Sequence, residues 1–238
     1  MKLLLTNLLL LIVFIAYAQN NKLGTWNVIN AKININKKWS IFAETQTRSQ
    51  LFYNDFYYYE IKGGLGYAVN NNFSLLVGSG RYATYSNGGN FIKPFANEEF
   101  RIWQQITMNQ YVSRLKFEHR YRIEQRWLSH GGYRNRFRYR LNSFFPLNNK
   151  NFEPKTVYLT AFDEIFLTNT SPYFERNRIF CGMGYKFNNK FTLQPGYIYQ
   201  FDNLANNVKS GKGFVQLTLF IETDSHKSNH FKIPAAED

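Results

Sequence analysis

In residues 111–127, YVSRLKFEHRYRIEQRW, charged and uncharged side chains alternate strictly from Arg114 onward. Arg114, Lys116, Glu118, Arg120, Arg122, Glu124 and Arg126 share one parity, while Leu115, Phe117, His119, Tyr121, Ile123, Gln125 and Trp127 share the other. A period of two puts the sets on opposite faces of an extended strand and argues against an amphipathic helix. The next stretch repeats the device, with Arg134, Arg136, Arg138 and Arg140 behind Tyr133, Phe137, Tyr139 and Leu141.

The same two-faced pattern recurs along the chain. Glu44 and Arg48 lie opposite Trp39, Ile41 and Ala43; Glu60 and Lys62 oppose Tyr57, Tyr59 and Ile61; Glu99 and Arg101 oppose Phe100 and Ile102. Arg176 and Arg178 belong to the charged face of a later run, and Glu164 joins that set. These runs last about 10–14 residues, against about 5–6 for a globular strand and about 9–11 for a strand that crosses a bilayer. About eleven such runs follow one another, and only closure into a barrel leaves so long a sheet without an edge. A soluble sandwich is the competing reading, and it would need a second layer over the aromatic face.

The fold expected is therefore an all-β, transmembrane, antiparallel up-and-down barrel of 10–12 strands. Twelve is preferred, because bacterial single-chain barrels have even strand numbers. Either a short strand is hidden, or Gly24–Asn36 contains a stretch that does not span. Apolar side chains would face lipid, with Trp39, Tyr67, Trp127 and Tyr185 at its interfaces, and charges would face the lumen.

The first 18 residues, MKLLLTNLLLLIVFIAYA, combine Lys2, an apolar run and Ala16-Tyr17-Ala18, the pattern of a secretory signal cleaved near Ala18-Gln19. The expected organisation is a signal at 1–18, an outer-membrane barrel at 19–224 and a periplasmic tail at 225–238. Cys181 is the only cysteine, so no disulfide framework holds the exported chain. A net charge of +13 can mark nucleic-acid binding. Export makes outer-membrane lipid the expected partner and argues against nucleic acid.

Asn-rich connections at Asn36, Asn70-Asn71-Asn72, Asn109-Gln110 and Asn188-Asn189 read as tight periplasmic turns, and those at 50–55, 86–94, 128–132, 168–173 and 203–210 as longer outer loops. Gly63–Gly78 repeats as Cys181–Gly196, with Gly64/Gly182, Gly66/Gly184, Asn70/Asn188 and Gly78/Gly196 in register. The repeat reads as one hairpin solution used twice.

The segments WNVINAKININKKWSIFAETQTRS, NEEFRIWQQ, YRNRFRYRL, DEIFL and FERNRIFCGMGYKFN resemble the outer-membrane barrels grouped as domain of unknown function 2490. The similarity covers nearly all of the mature chain. It implies an outer-membrane β-barrel and carries no established activity.

Within the lumen, each Glu is expected to bridge Arg forks in a network filling a narrow barrel. Cations outnumber carboxylates there, and the surplus points to binding or passing a small anionic solute. The alternative is an outer-membrane lipid-modifying hydrolase built on His119 or on Ser129-His130, which would need a serine and an orienting third residue beside the imidazole. No catalytic constellation, cofactor motif or metal-ligand spacing is present, although His226 and His230 could meet on a helical turn of the tail. Cys181 falls on the outer face by parity.

Overall fold

The computed structural model describes residues 23–86, 88, 90–203 and 208–224. The expected signal at 1–18, the expected tail at 225–238 and His226 and His230 lie outside the described residues. The described chain has no helix and forms eleven strands: β1 Gly24–Asn34, β2 Trp39–Leu51, β3 Asn54–Ala68, β4 Phe73–Tyr85, β5 Phe95–Val112, β6 Leu115–Leu128, β7 Gly132–Pro146, β8 Val157–Thr168, β9 Phe174–Lys186, β10 Phe191–Asn203 and β11 Lys209–Asp224.

Consecutive strands pair antiparallel, and β1 closes on β11 to complete the barrel. The preference for twelve strands was wrong among the described residues. Gly24–Asn34 is a complete strand, and an odd count is accommodated because β1 and β11 pair parallel, from Gly24 opposite Phe214 to Asn34 opposite Asp224. The up-and-down antiparallel order therefore holds at every seam except this one.

Two rims follow. The first carries the connections at 52–53, 86–94, 129–131 and 169–173; the second carries those at 35–38, 69–72, 113–114, 147–156 and 187–190. The expected division into a trimmed rim and an elaborated one fails at three points. Residues 50–55 form only a two-residue turn, with Tyr53 and Asp55 at positive φ. Asn109 and Gln110 are paired within β5 opposite Glu118 and Phe117, and the reversal comes later, at Ser113 (φ 54°). The ten residues 147–156 sit on the rim expected to be short.

That connection is folded inward. Phe152 packs on the inward rings of Phe144 and Tyr158, and Lys186 Nζ donates to the Phe152 carbonyl at 3.3 Å. Arg114 holds its base, one Nη donating to the carbonyls of Pro146, Leu147 and Asn149.

The repeat has a structural purpose. Gly64 lies opposite Gly78, and Gly182 opposite Gly196. A Cβ on Gly78 would strike the Trp103 ring, and one on Gly182 or Gly196 would strike that of Phe180. Gly78, Gly182 and Gly196 thus form floors on which inward aromatic rings lie, while Gly64 leaves room for the neighbouring backbone at Val77 and Gly78.

The outer wall is apolar and aromatic, with Trp39, Ile41, Ile61, Val77, Ile123, Phe137, Leu159, Ile179 and Tyr197 all exposed. Polar groups on it bond sideways. Gln104 and Gln125 exchange hydrogen bonds at 3.2 and 3.1 Å, and Asn177 donates to Asp163. Cys181 is exposed on this wall, as parity requires.

Candidate functional site

Parity delivers the charged set to the interior. Glu44, Arg48, Glu60, Lys62, Glu99, Arg101, Lys116, Glu118, Arg120, Arg122, Glu124, Arg126, Arg136, Arg138, Arg140, Glu164 and Arg178 are all buried. Two others, Arg134 and Arg176, are half-buried. Arg114 does not join them: it sits in the 113–114 turn and caps the 147–156 connection instead. The alternation that assigned it to the lumen stops one residue earlier than the strand pattern suggests, because β6 begins at Leu115.

The register sets arginine against arginine. Arg120 lies opposite Arg140, Arg122 opposite Arg138 and Arg126 opposite Arg134, while Glu124 faces Arg136. Like charges opposite one another destabilise a sheet, so carboxylates are interleaved. Glu124 meets Arg138 at 2.6 Å, Arg101 and Arg136 at 3.6 Å and Arg122 at 3.7 Å. Glu164 meets Arg120 at 2.5 Å and Arg138 at 2.9 Å. On the β2–β3 side, Lys62 bridges Glu44 at 2.6 Å and Glu60 at 2.7 Å. Glu118 takes Lys116 at 3.1 Å and lies 3.9 Å from Arg140. Charge-assisted forks of this kind offset the cost of taking ions out of water.

Sequence reading assigns the aromatic-rich face to the outside, with Phe42 placed on the charged face beside Glu44, yet many more aromatics line the inner one. Trp26, Phe42, Trp103, Tyr158, Phe166, Phe180 and Phe214 are fully buried. Guanidinium groups stack on them: Arg48 lies 3.4 Å from the Trp26 ring centre, Arg101 3.7 Å from that of Tyr82, and Arg178 4.7 Å from Trp26. Phe166 alone is approached by Arg136, Arg138, Arg176 and Arg178, all within 5.8 Å. Such contacts gain when desolvated.

Bulges bring in further residues that strict alternation hides. Phe166 pairs with Arg176 but Leu167 with Phe174, so Glu175 is an extra residue turned inward. There it binds Arg136 through both carboxylate oxygens and lies 3.3 Å from Arg126. A second shift, between Arg48 and Ser49, leaves Tyr57 unpaired in β3. Tyr57 was expected outside and instead packs on the buried cluster around Trp26. Asp202, also missed, pairs with Arg176. A third shift, at Thr84/Tyr85, skips Ala96. All three lie toward the first rim.

Two cavities flank the filled middle. The one toward the first rim encloses about 640 Å³, lined by Arg48, Tyr57, Tyr82, Arg176, Asp202 and Lys212 among others. The one toward the second rim, about 310 Å³, is lined by asparagines and lysines of the 35–38 and 69–72 turns together with Gln105, Lys116 and Glu118. They share no residue; Trp26, Phe42, Trp103, Arg120, Arg122 and Arg140, each under 2 % exposed, lie between.

Among the described residues, neither His119 nor His130 has both a serine and an orienting third residue hydrogen-bonded to its ring. His119, on the outer wall, contacts the Tyr139 hydroxyl at 2.9 Å through Nδ1 and Gln110 at 3.3 Å through Nε2, with no serine among its partners. Ser129 Oγ lies 3.1 Å from His130 Nδ1 in an exposed turn, where it also accepts the Glu98 backbone N–H at 2.9 Å. Among the described residues no group of three metal-ligating side chains gathers.

Fold and interior together define a closed barrel of eleven strands among the described residues, with an ionic and aromatic core. The chain belongs to the family described as protein of unknown function DUF2490, whose family model matches residues 23–211. No curated protein and no solved structure matches the chain.

Proposed function

We propose that the protein is a non-enzymatic outer-membrane β-barrel, exported by its first 18 residues, that receives a small anionic solute at its first rim and does not conduct through its middle. The observation that carries this reading is the pairing of an apolar outer wall with an interior of interlocked Arg, Glu and aromatic side chains. Water solvates charges and lipid does not, so this arrangement suits a wall surrounded by lipid.

Aromatic pairs support the same reading. Trp39–Tyr67 and Tyr185–Phe187 lie near the second rim, and Phe100–Trp127–Tyr133 near the first. On β6, ten residues separate Phe117 from Trp127, and a tilted strand of that length covers roughly the 25 Å of an outer-membrane apolar band. No described helix is long and apolar enough to cross a membrane, which says nothing about crossing by strands.

The test has two arms. The mature chain should require detergent and migrate differently folded and boiled; solubility without detergent overturns the membrane assignment. In planar bilayers it should be electrically silent, whereas an ohmic anion-selective step would show a pore in place of a closed barrel.

A further inference from the structure

We propose that the first-rim cavity binds a multiply charged anion of small-molecule size, carrying two or more phosphate or carboxylate groups on a compact frame. This deepens the anion reading above and rests on it. The volume of about 640 Å³ falls within the range of small-ligand pockets, about 300–1,000 Å³. Nine basic side chains line it against four acidic ones.

Those four carboxylates are already engaged. Glu99 binds Arg101 at 2.8 Å and Arg126 at 2.9 Å, Glu175 joins Arg126 to Arg136, and Asp202 holds Arg176. The fourth, Glu60, contacts Lys62 and Arg48. Behind the wall Glu44, Glu124 and Glu164 also pair with Lys62, Arg101, Arg136, Arg138 and Arg178, and nine cations against these seven carboxylates still leave the wall positive.

Two buried donors lining the cavity lack an acceptor. Arg48 is 4 % exposed, and its Nε makes no hydrogen bond although its guanidinium is clamped against Trp26 and Tyr58. Tyr82 is 3 % exposed, and its hydroxyl also has no partner. A buried donor without an acceptor is costly, and an incoming oxyanion would supply one. Lys212 adds a cation that makes no salt bridge among the described residues and stands 5.8 Å from the Phe214 ring centre.

The geometry selects against a simple halide. Arg48, Tyr82, Arg176 and Lys212 come from β2, β4, β9 and β11, so these donors ring the cavity. A ligand must carry charge at more than one point to use them together. The bulges that bring Glu175 and Tyr57 inward lie at this same end, so the mouth departs from simple strand alternation where the site forms. Aromatic faces of Tyr57, Phe166 and Phe214 line the space between the charges and suit a ring or short chain.

The experiment is calorimetric titration of the full mature chain in neutral detergent, after folding is verified by its mobility before and after boiling. Probes are inorganic pyrophosphate, citrate and uncharged glucose, with sodium chloride as background. Saturable binding of pyrophosphate or citrate, one per chain, is expected, with none for glucose. A preference for pyrophosphate would point to phosphorylated ligands, and one for citrate to polycarboxylates. Tyr82→Phe and Lys212→Gln should each weaken binding about tenfold, while Arg114→Gln at the far rim leaves it unchanged. Absence of saturable binding, or equal affinity in Tyr82→Phe, Lys212→Gln and the parent, overturns the proposal. Failure of the membrane assignment would appear separately, as solubility without detergent before any titration.

Discussion

Glu124 on β6 accepts a hydrogen bond from Arg138 on β7 at 2.6 Å, beside three further guanidinium groups within 3.7 Å of the same carboxylate. Replacing it with Leu would leave clustered cations without their shared counter-ion. Removing one partner of a buried pair typically destabilises by about 3–5 kcal/mol. Glu124→Leu should therefore lower the urea midpoint of the detergent-folded barrel strongly, or prevent folding. A midpoint equal to the parent's would show that Glu124 is not the hub of the network.

Arg134 supplies the contrast. It lies opposite Arg126 at the first rim, yet it makes no ion pair or hydrogen bond among the described residues. Arg134→Ala removes a half-buried cation that faces a like charge and whose Nε has no acceptor, so the barrel should be no less stable than the parent. Equilibrium unfolding beside Glu124→Leu measures this directly.

The glycine floors predict a steric effect without any change of charge. Gly196→Val would push a branched side chain into the Phe180 ring and the Cys181 carbonyl. Overpacking of this kind costs about 1–3 kcal/mol. Gly88→Ala, where nothing lies within contact distance, tests backbone strain alone, because its φ is +89°. If Gly196→Val unfolds no more readily than Gly88→Ala, the floor is not what the repeat provides.

Arg114 and Phe152 together predict a protease phenotype. With three carbonyls released, Arg114→Leu should expose the 147–156 connection, and trypsin should cut after Lys150 faster than in the parent. Phe152→Ala should do the same by removing the ring that anchors the connection to Phe144 and Tyr158. Unchanged cleavage in both would mean that other contacts hold it down.

Orientation can be read from cells. In a Cys181→Ser background, an impermeant thiol reagent should label His130→Cys on intact cells, whereas Lys150→Cys should label only after the envelope is opened. This follows if the first rim faces outward, and the reverse pattern would invert the barrel.

Much of this architecture was legible because charge is an unambiguous marker of parity. The alternation from Lys116 to Arg126 and from Arg136 to Arg140 identified inward residues one by one, and all of them are buried. Aromatic residues carry no such mark, since Trp103 inside and Trp127 outside are the same side chain. Their positions follow only from register. Glu175 and Tyr57 were hidden for a related reason: a bulge shifts parity by one residue at a point that composition does not announce. Closure itself was legible from the length of the sheet, but its parallel seam was not, because pairing of β1 with β11 is decided by residues some 190 positions apart. Arg114 was misplaced because a two-residue turn can lie within an unbroken alternating pattern.

The parallel seam between β1 and β11 reaches beyond the strand count. Gly24 opens β1 at the first rim and Asp224 closes β11 at the second, so the wall begins at one mouth and finishes at the other. Standing in a bilayer, such a wall would be a tether with a handle on each side. Whatever is fused ahead of β1 and whatever is fused behind β11 would then occupy different compartments, joined by a single folded chain.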